Sequence, residues 1–167
     1  DNGTLVFDGA PVTVSGPSAA QHMGIATVFQ DLALCDNLDV VANLFLGSEE
    51  IESGPQKAIK VLDEIDMEVR ALELLKSLSV TTLRSVRTEV GALSGGQRQS
   101  VAIARSLLGD PKVVILDEPA AALGVAQTQQ VLDLVLRLRE RGLGVIYISH
   151  NITNIFHVAD RIVVLRL

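Results

Sequence analysis

Apolar positions along the chain keep two different rhythms. Short uncharged, mostly apolar runs occupy residues 25–29, 113–116 and 145–148. Runs of this length predict β-strands, the last two of the kind buried on both faces of a parallel sheet. Longer stretches at residues 39–46, 63–78, 97–108 and 126–141 read as helices. In residues 63–78 the expected buried stripe is Ile65, Leu72, Leu75 and Leu78; in residues 126–141 it is Val131, Leu134, Val135 and Leu138. Gly109-Asp110-Pro111 ends one of these helices and Gly142 another. Near the start, residues 4–7 and 12–14 read as a hairpin turned at Asp8-Gly9. Residues 17–23 read as a short helix closed by Gly24. Residues 151–158 predict a short helix and residues 162–165 a further strand, while residues 47–55 and the Ser/Thr-rich residues 79–88 are loops. Strands alternating with helices in this way predict an α/β layered domain with a mostly parallel sheet.

Composition agrees with an ordinary globular chain: 48% apolar and 20% charged over 167 residues. The net charge of -6 makes a poor electrostatic partner for DNA or RNA, so no nucleic-acid partner is expected. Cys35 stands alone, which excludes an intrachain disulfide and fits a reducing compartment. No apolar run approaches the roughly 18 residues needed to cross a bilayer, and no signal-peptide pattern opens the chain. Residue 1 is Asp, and the last residues stop inside an apolar run, so the expectation is of a piece of a longer chain.

Candidate chemistry begins where the run 113–116 ends, at Asp117-Glu118-Pro119. The C-terminal end of a strand is where open α/β sheets bind ligands. Neighbouring carboxylates repel, so a pair placed there needs a cation or a polar task, and a Mg²⁺-nucleotide supplies both. One carboxylate can hold the metal's water shell and the other can orient or deprotonate an attacking water. A second candidate is Leu93-Ser94-Gly95-Gly96-Gln97, leading into a helix. Ser94 suits an N-cap, and two glycines at a helix start leave backbone N–H groups open to an anion that the helix dipole favours.

The combination resembles the ABC ATPase family. Leu93 to Gln97 is similar to its signature motif, and Val113 to Glu118 to its Walker B strand. Gln30, after Val28-Phe29, then matches the Q-loop glutamine, and His150, after the run 145–149, the switch histidine; His22 and His157 match no family motif. The resemblance implies an ABC-type ATPase domain, P-loop NTPase-like and incomplete. It would have a parallel sheet flanked by helices, an antiparallel β edge and a helical subdomain. Residues 1–30 would lead to the Q-loop, residues 31–96 form the helical signature part, and residues 97–167 hold the Walker B and switch elements. It implies ATP and Mg²⁺ as cofactors. Asp117 and Gln30 would attend the metal, Glu118 would be the general base, and His150 would bond the γ-phosphate. Ser94, Gly95, Gly96 and Gln97 would meet the nucleotide of a second ABC domain in a head-to-tail pair.

Two departures stand out. The P-loop pattern Gly-x-x-x-x-Gly-Lys-Ser/Thr is absent from the 167 residues, and with it the cradle for the β- and γ-phosphates. In the family that loop lies upstream of a segment resembling the first residues here. The expectation is therefore a domain with half a site that binds ATP very weakly by itself. The second departure is Ala121-Ala122-Leu123-Gly124, with Gly where the family's D-loop ends in Asp. That run, together with residues 148–151 and 158–167, is similar to the ATP-binding proteins of bacterial simple-sugar importers. The implied role is to power a transmembrane permease from the cytoplasmic face of the inner membrane, with a sugar-binding protein as an indirect partner. The alternatives are a soluble ABC ATPase acting on nucleic acid or ribosomes, and a degenerate interaction domain that does not hydrolyse. The compact stretch from Gln30 to Leu93 leaves no room for a coiled-coil arm.

Overall fold

The computed structural model describes residues 3–51 and 62–166. Strands β1 (Leu5–Phe7) and β2 (Ala10–Val12) form an antiparallel hairpin. Asp8 and Gly9 both have positive φ, at 55° and 79°, as a two-residue primed turn requires. That turn fixes the register, so the second strand begins at Ala10, two residues earlier than its apolar pattern predicts. Helix α1 (Pro17–His22) follows, with Pro at its start.

A parallel sheet in the order β3 (Ile25–Val28), β4 (Val113–Asp117), β5 (Gly144–Ile148) forms the centre. Val28 pairs with Leu116, which pairs with Tyr147, so the three strands end level with one another. Between β3 and β4 the chain runs through α2 (Val40–Phe45), α3 (Glu64–Ser77), a 3-10 turn at Val90–Ala92 and α4 (Gly95–Leu107). Helix α5 (Val125–Glu140) links β4 to β5, and α6 (Ile152–Val158) follows.

One apolar core joins α2, α3, α4 and α5 to the covered face of the sheet. Val114 and Leu116 are fully buried, as are Val131, Leu134, Val135 and Leu138, the stripe expected on α5. Three expectations fail. The stripe on α3 is Met67, Ala71 and Leu75, continued by Leu78, whereas Ile65 is 79% exposed and Leu72 faces solvent. Ala71 lets α3 approach its neighbours closely, which favours a rotation that a count of large aliphatics misses. β5 is covered on one side only: Ile146 and Ile148 alternate outward while Val145 and Tyr147 pack inward. Residues 162–165 form no strand, because no neighbouring strand offers them a ladder among the described residues, and Val163 to Leu165 are exposed. Residues 52–55 of the predicted loop lie outside the described residues, and the helix predicted from residue 63 begins at Glu64 with Asp63 as its cap.

Candidate functional site

Level strand ends bring the predicted residues of three separate segments to one edge of the sheet. Gln30 lies two residues past Val28, Asp117 closes β4 with Glu118 next, and His150 lies two residues past Ile148. Parallel register alone does this, since each strand contributes its C-terminal end to the same side.

Glu118 is the best-held of these residues. Its φ is +47°, left-handed for a side chain that rarely adopts it, at a cost of about 1–3 kcal/mol. The turn is held by the Glu118 N–H donating to the Ile148 carbonyl at 3.0 Å and by the Ala121 N–H donating to the Glu118 carbonyl at 3.2 Å. It delivers the carboxylate to the end of β5. There Oε1 accepts from the His150 N–H at 2.8 Å and from His150 Nδ1 at 2.7 Å, and Oε2 accepts from the Ser149 hydroxyl at 3.1 Å. Burial pushes this carboxyl up, but the hydrogen bonds from the His150 ring, the His150 N–H and Ser149 outweigh it and leave it below the ordinary carboxylate range. A carboxylate only accepts, so Nδ1 carries the imidazole hydrogen, and Nε2 has no partner among the described residues. The His150 side chain is 82% exposed beside a carboxylate that is 19% exposed.

These residues line a cleft of about 440 Å³, walled by Leu123 and Gln129 on one side and by Asn151 and His157 on the other. His157 hydrogen-bonds Gln129 there at 3.3 Å, and His22 bonds the Ser18 carbonyl within its own helix. The Asp117 carboxylate accepts no hydrogen bond and forms no ion pair among the described residues, and the Gln30 side chain is exposed and likewise unengaged. No group of three metal-ligating side chains occurs among the described residues.

The second candidate contributes no lining residue to this cleft but packs against its wall at Leu123. Ser94 caps α4 by accepting from the Gln97 N–H at 3.4 Å, and Gln97 Oε1 returns the bond to the Ser94 N–H at 2.9 Å, completing a capping box. Gln97 Nε2 donates to the Thr82 carbonyl at 2.7 Å, so its side chain is spent on structure. The glycines answer to packing. A Cβ on Gly95 would lie 3.0 Å from Leu123 Cδ2, and one on Gly96 would lie 3.1 Å from Gln127 Cβ. The N-terminus of α4 is thus pressed against the start of α5, with the Gly95 and Gly96 N–H groups unpaired among the described residues. Gly124, in the place of the expected D-loop Asp, has no side chain to cap α5; its N–H donates instead to Gln127 Oε1 at 3.3 Å.

Sequence reasoning gave Ser149 no role, although it stands in the same tetrapeptide as His150. Its hydroxyl accepts from the Asn151 N–H at 3.2 Å and donates to Glu118 Oε2. That task depends on the left-handed turn at Glu118, for which the sequence carries no local signal.

The profile of the ABC transporter family matches residues 1–121. The chain belongs to this family. Among relatives of the ABC domain, the fructose import ATP-binding protein of Rhizobium meliloti is 44% identical over 168 residues, covering 100% of this chain and 65% of that protein. The xylose/arabinose import ATP-binding protein of Sulfolobus acidocaldarius is 41% identical, covering 99% and 63%. The ribose import ATP-binding protein of Lacticaseibacillus paracasei is 37% identical, covering 99% and 32%. The chain therefore spans a little under two thirds of the fructose relative's length, 65% of it. Its fold is similar to that of a nucleotide-free ATP-binding cassette from an ABC transporter, with TM-score 0.77 and 26% identity over 96% of this chain and 64% of that one. A dimeric cassette in a post-hydrolysis state, bound to ADP and phosphate, gives TM-score 0.67 and 26% identity over 94% and 66%. The α/β architecture expected from the motifs is thus the architecture of the family.

Proposed function

We propose that this ABC domain is the ATP-hydrolysing part of a subunit that powers import of simple sugars through a membrane permease. The observation that supports it best is the convergence of Gln30, Asp117, Glu118 and His150 on one sheet edge, with Glu118 aimed by a left-handed turn. Glu118 is the general base for the attacking water, kept ionised by the hydrogen bonds it accepts. His150 presents Nε2 toward charge developing on a γ-phosphate. Both Glu118 oxygens are engaged, so Asp117 and Gln30 remain to hold Mg²⁺. A single free carboxylate fits that ion, which keeps several waters and binds largely through the nucleotide's own phosphates. Magnesium, when bound, neutralises phosphate charge.

The N-terminus of α4 stands outside the Glu118 cleft, which fits a role on the nucleotide of a second ABC domain. Within Ser94, Gly95, Gly96 and Gln97, the two glycines would offer that nucleotide open N–H groups, while the capping box engages those of Ser94 and Gln97. The sugar class follows from the names of the relatives, which import fructose, xylose or arabinose, and ribose. Residues 31–43 would meet the permease, and a sugar-binding protein would act through it. The site of action is the cytoplasmic face of the plasma membrane; no helix among the described residues is long and apolar enough to cross it.

A fusion tests this directly. The chain alone is expected to bind no Mg-ATP up to millimolar concentration by calorimetry. Joined downstream of a P-loop strand and helix, it is expected to hydrolyse ATP. Glu118→Gln is expected to slow that turnover by about 10²–10⁴-fold without weakening ATP binding. A fusion that binds ATP and turns over equally well with Gln at 118 would sink the assignment.

A further inference from the structure

We propose that Arg98 is a positioning residue that fastens the loop ahead of α2 to the start of α4, so that displacement of the loop is carried to the anion-binding helix end. The inference rests on residues 31–43 as the permease-facing segment and deepens that reading by naming the link to the nucleotide side.

The loop is held from within by Asn43, which is fully buried. Its Oδ1 accepts from the Cys35 N–H at 2.7 Å, and its Nδ2 reaches the carbonyls of Cys35 at 2.9 Å and Leu38 at 3.1 Å. Residues 35–38 therefore move with α2. Arg105, near the far end of α4, donates to the carbonyls of Ala33 at 3.1 Å and Leu46 at 3.3 Å. That contact pins the loop to α4 but lies about two and a half turns from its first residues.

Among the described side chains, Arg98 is the one that joins the loop to the helix start. Its Nη1 lies 3.4 Å from Asp36 Oδ1, in the loop. Its Nη2 donates to the Gly91 carbonyl at 2.9 Å and its Nε to the Leu93 carbonyl at 3.2 Å. Leu93 is the residue immediately before the Ser94 cap. One planar guanidinium thus spans a loop carboxylate and the turn that sets the helix entry, which a lysine cannot do with a single nitrogen. The backbone supports the same junction. The Gly91 N–H donates to the Asp36 carbonyl at 2.8 Å and the Val90 N–H to the Leu38 carbonyl at 2.9 Å. A Cβ on Gly91 would lie 3.0 Å from the Asp36 carbonyl oxygen, so loop and turn meet with no side chain between them.

The test uses the chain as it stands, with neither nucleotide nor permease. Two local readouts are available: the reaction rate of Cys35, the single thiol, which reports on the loop, and amide exchange at Gln97 and Arg98, which reports on the helix start. Asp36 is 69% exposed, so Asp36→Ala removes the loop end of the link with little risk to folding. It is expected to speed exchange at Gln97 and Arg98 by about two- to fivefold, as loss of an exposed ion pair implies, with the β4 amides unchanged. Arg105→Ala is expected to speed Cys35 labelling while leaving Gln97 and Arg98 protected. Arg98→Lys should fall between wild type and Asp36→Ala. The proposal is overturned if Asp36→Ala leaves Gln97 and Arg98 exchange at the wild-type rate, if Arg105→Ala loosens them equally, or if the β4 amides accelerate by the same factor. A failed hydrolysis assay on the fusion would leave all these readouts intact, so the two readings fail separately.

Discussion

The edge of the sheet and the start of α4 solve opposite problems. At the edge, backbone strain is accepted at Glu118 so that a carboxylate can be aimed, and the Ser149 and His150 side chains just past β5 hold it there. At the start of α4 the backbone is relaxed and the side chains are withdrawn: Ser94 and Gln97 bond each other, and a Cβ on either glycine would crowd Leu123 or Gln127. The first region offers functional groups, the second offers bare N–H groups and a helix dipole. Substitutions should therefore separate turnover from stability according to region, and that separation is open to measurement.

The largest effect is expected at the edge. In a fusion that supplies a P-loop, Glu118→Gln should cost about 10²–10⁴ in turnover yet only about 1 kcal/mol of stability, because the amide keeps the shape of the carboxyl. Steady-state hydrolysis beside a denaturant titration reads both. A loss of turnover explained by unfolding would erase the contrast between the two regions.

The opposite pattern is expected for Gly96→Val. A branched side chain there would press into Gln127 Cβ and Cγ, at 3.1 and 3.2 Å from the first added carbon, and force α4 from α5. Overpacking of this kind costs about 1–3 kcal/mol, and thermal melting of the chain alone should fall by about 2–4 °C for each of them. No nucleotide is needed to see it, which marks Gly96 as a packing residue as well as part of the signature.

What the sequence discloses follows the same division. Short apolar runs between turn residues located β3, β4 and β5 to within a residue or two, and motif spacing picked out Glu118 and His150. Capping chemistry is local, so the start of α4 is legible from Ser94, although the reciprocal bond from Gln97 is not. Three further features are not. The buried face of α3 turns on Ala71, a residue that hydrophobic counting underweights. The open side of β5 depends on which helices cover the sheet, a long-range fact. Ser149 acquires its role only through the left-handed turn at Glu118, and nothing in Asp117-Glu118-Pro119 signals a positive φ.

A smaller effect sharpens the reading of the helix start. Gln97→Ala removes bonds to the Ser94 N–H and the Thr82 carbonyl, at 2.9 and 2.7 Å, whereas Ser94→Ala removes one long bond of 3.4 Å. Gln97→Ala should then cost about 1–2 kcal/mol and Ser94→Ala about 0.5–1 kcal/mol. The reverse order in denaturant titrations would mean that the Ser94 hydroxyl, and not the Gln97 amide, is the principal cap.

The subtlest test is one of pH. The folded Glu118 carboxyl is held below its unfolded value of about 4.3, so its ionised form stabilises the fold at neutral pH. That contribution is fully present above about pH 4.3 and is lost as pH falls through the folded value. Ser149→Ala removes one of the bonds that depress it, leaving the two from His150. The carboxyl should titrate higher by NMR in Ser149→Ala, and the variant should lose less stability than wild type between pH 6 and pH 3. In Glu118→Gln this part of the acid sensitivity should vanish. If Ser149→Ala instead left the Glu118 titration where it was, the depression would belong to His150 alone, and Ser149 would be a cap for the turn into α6 through its bond with the Asn151 N–H.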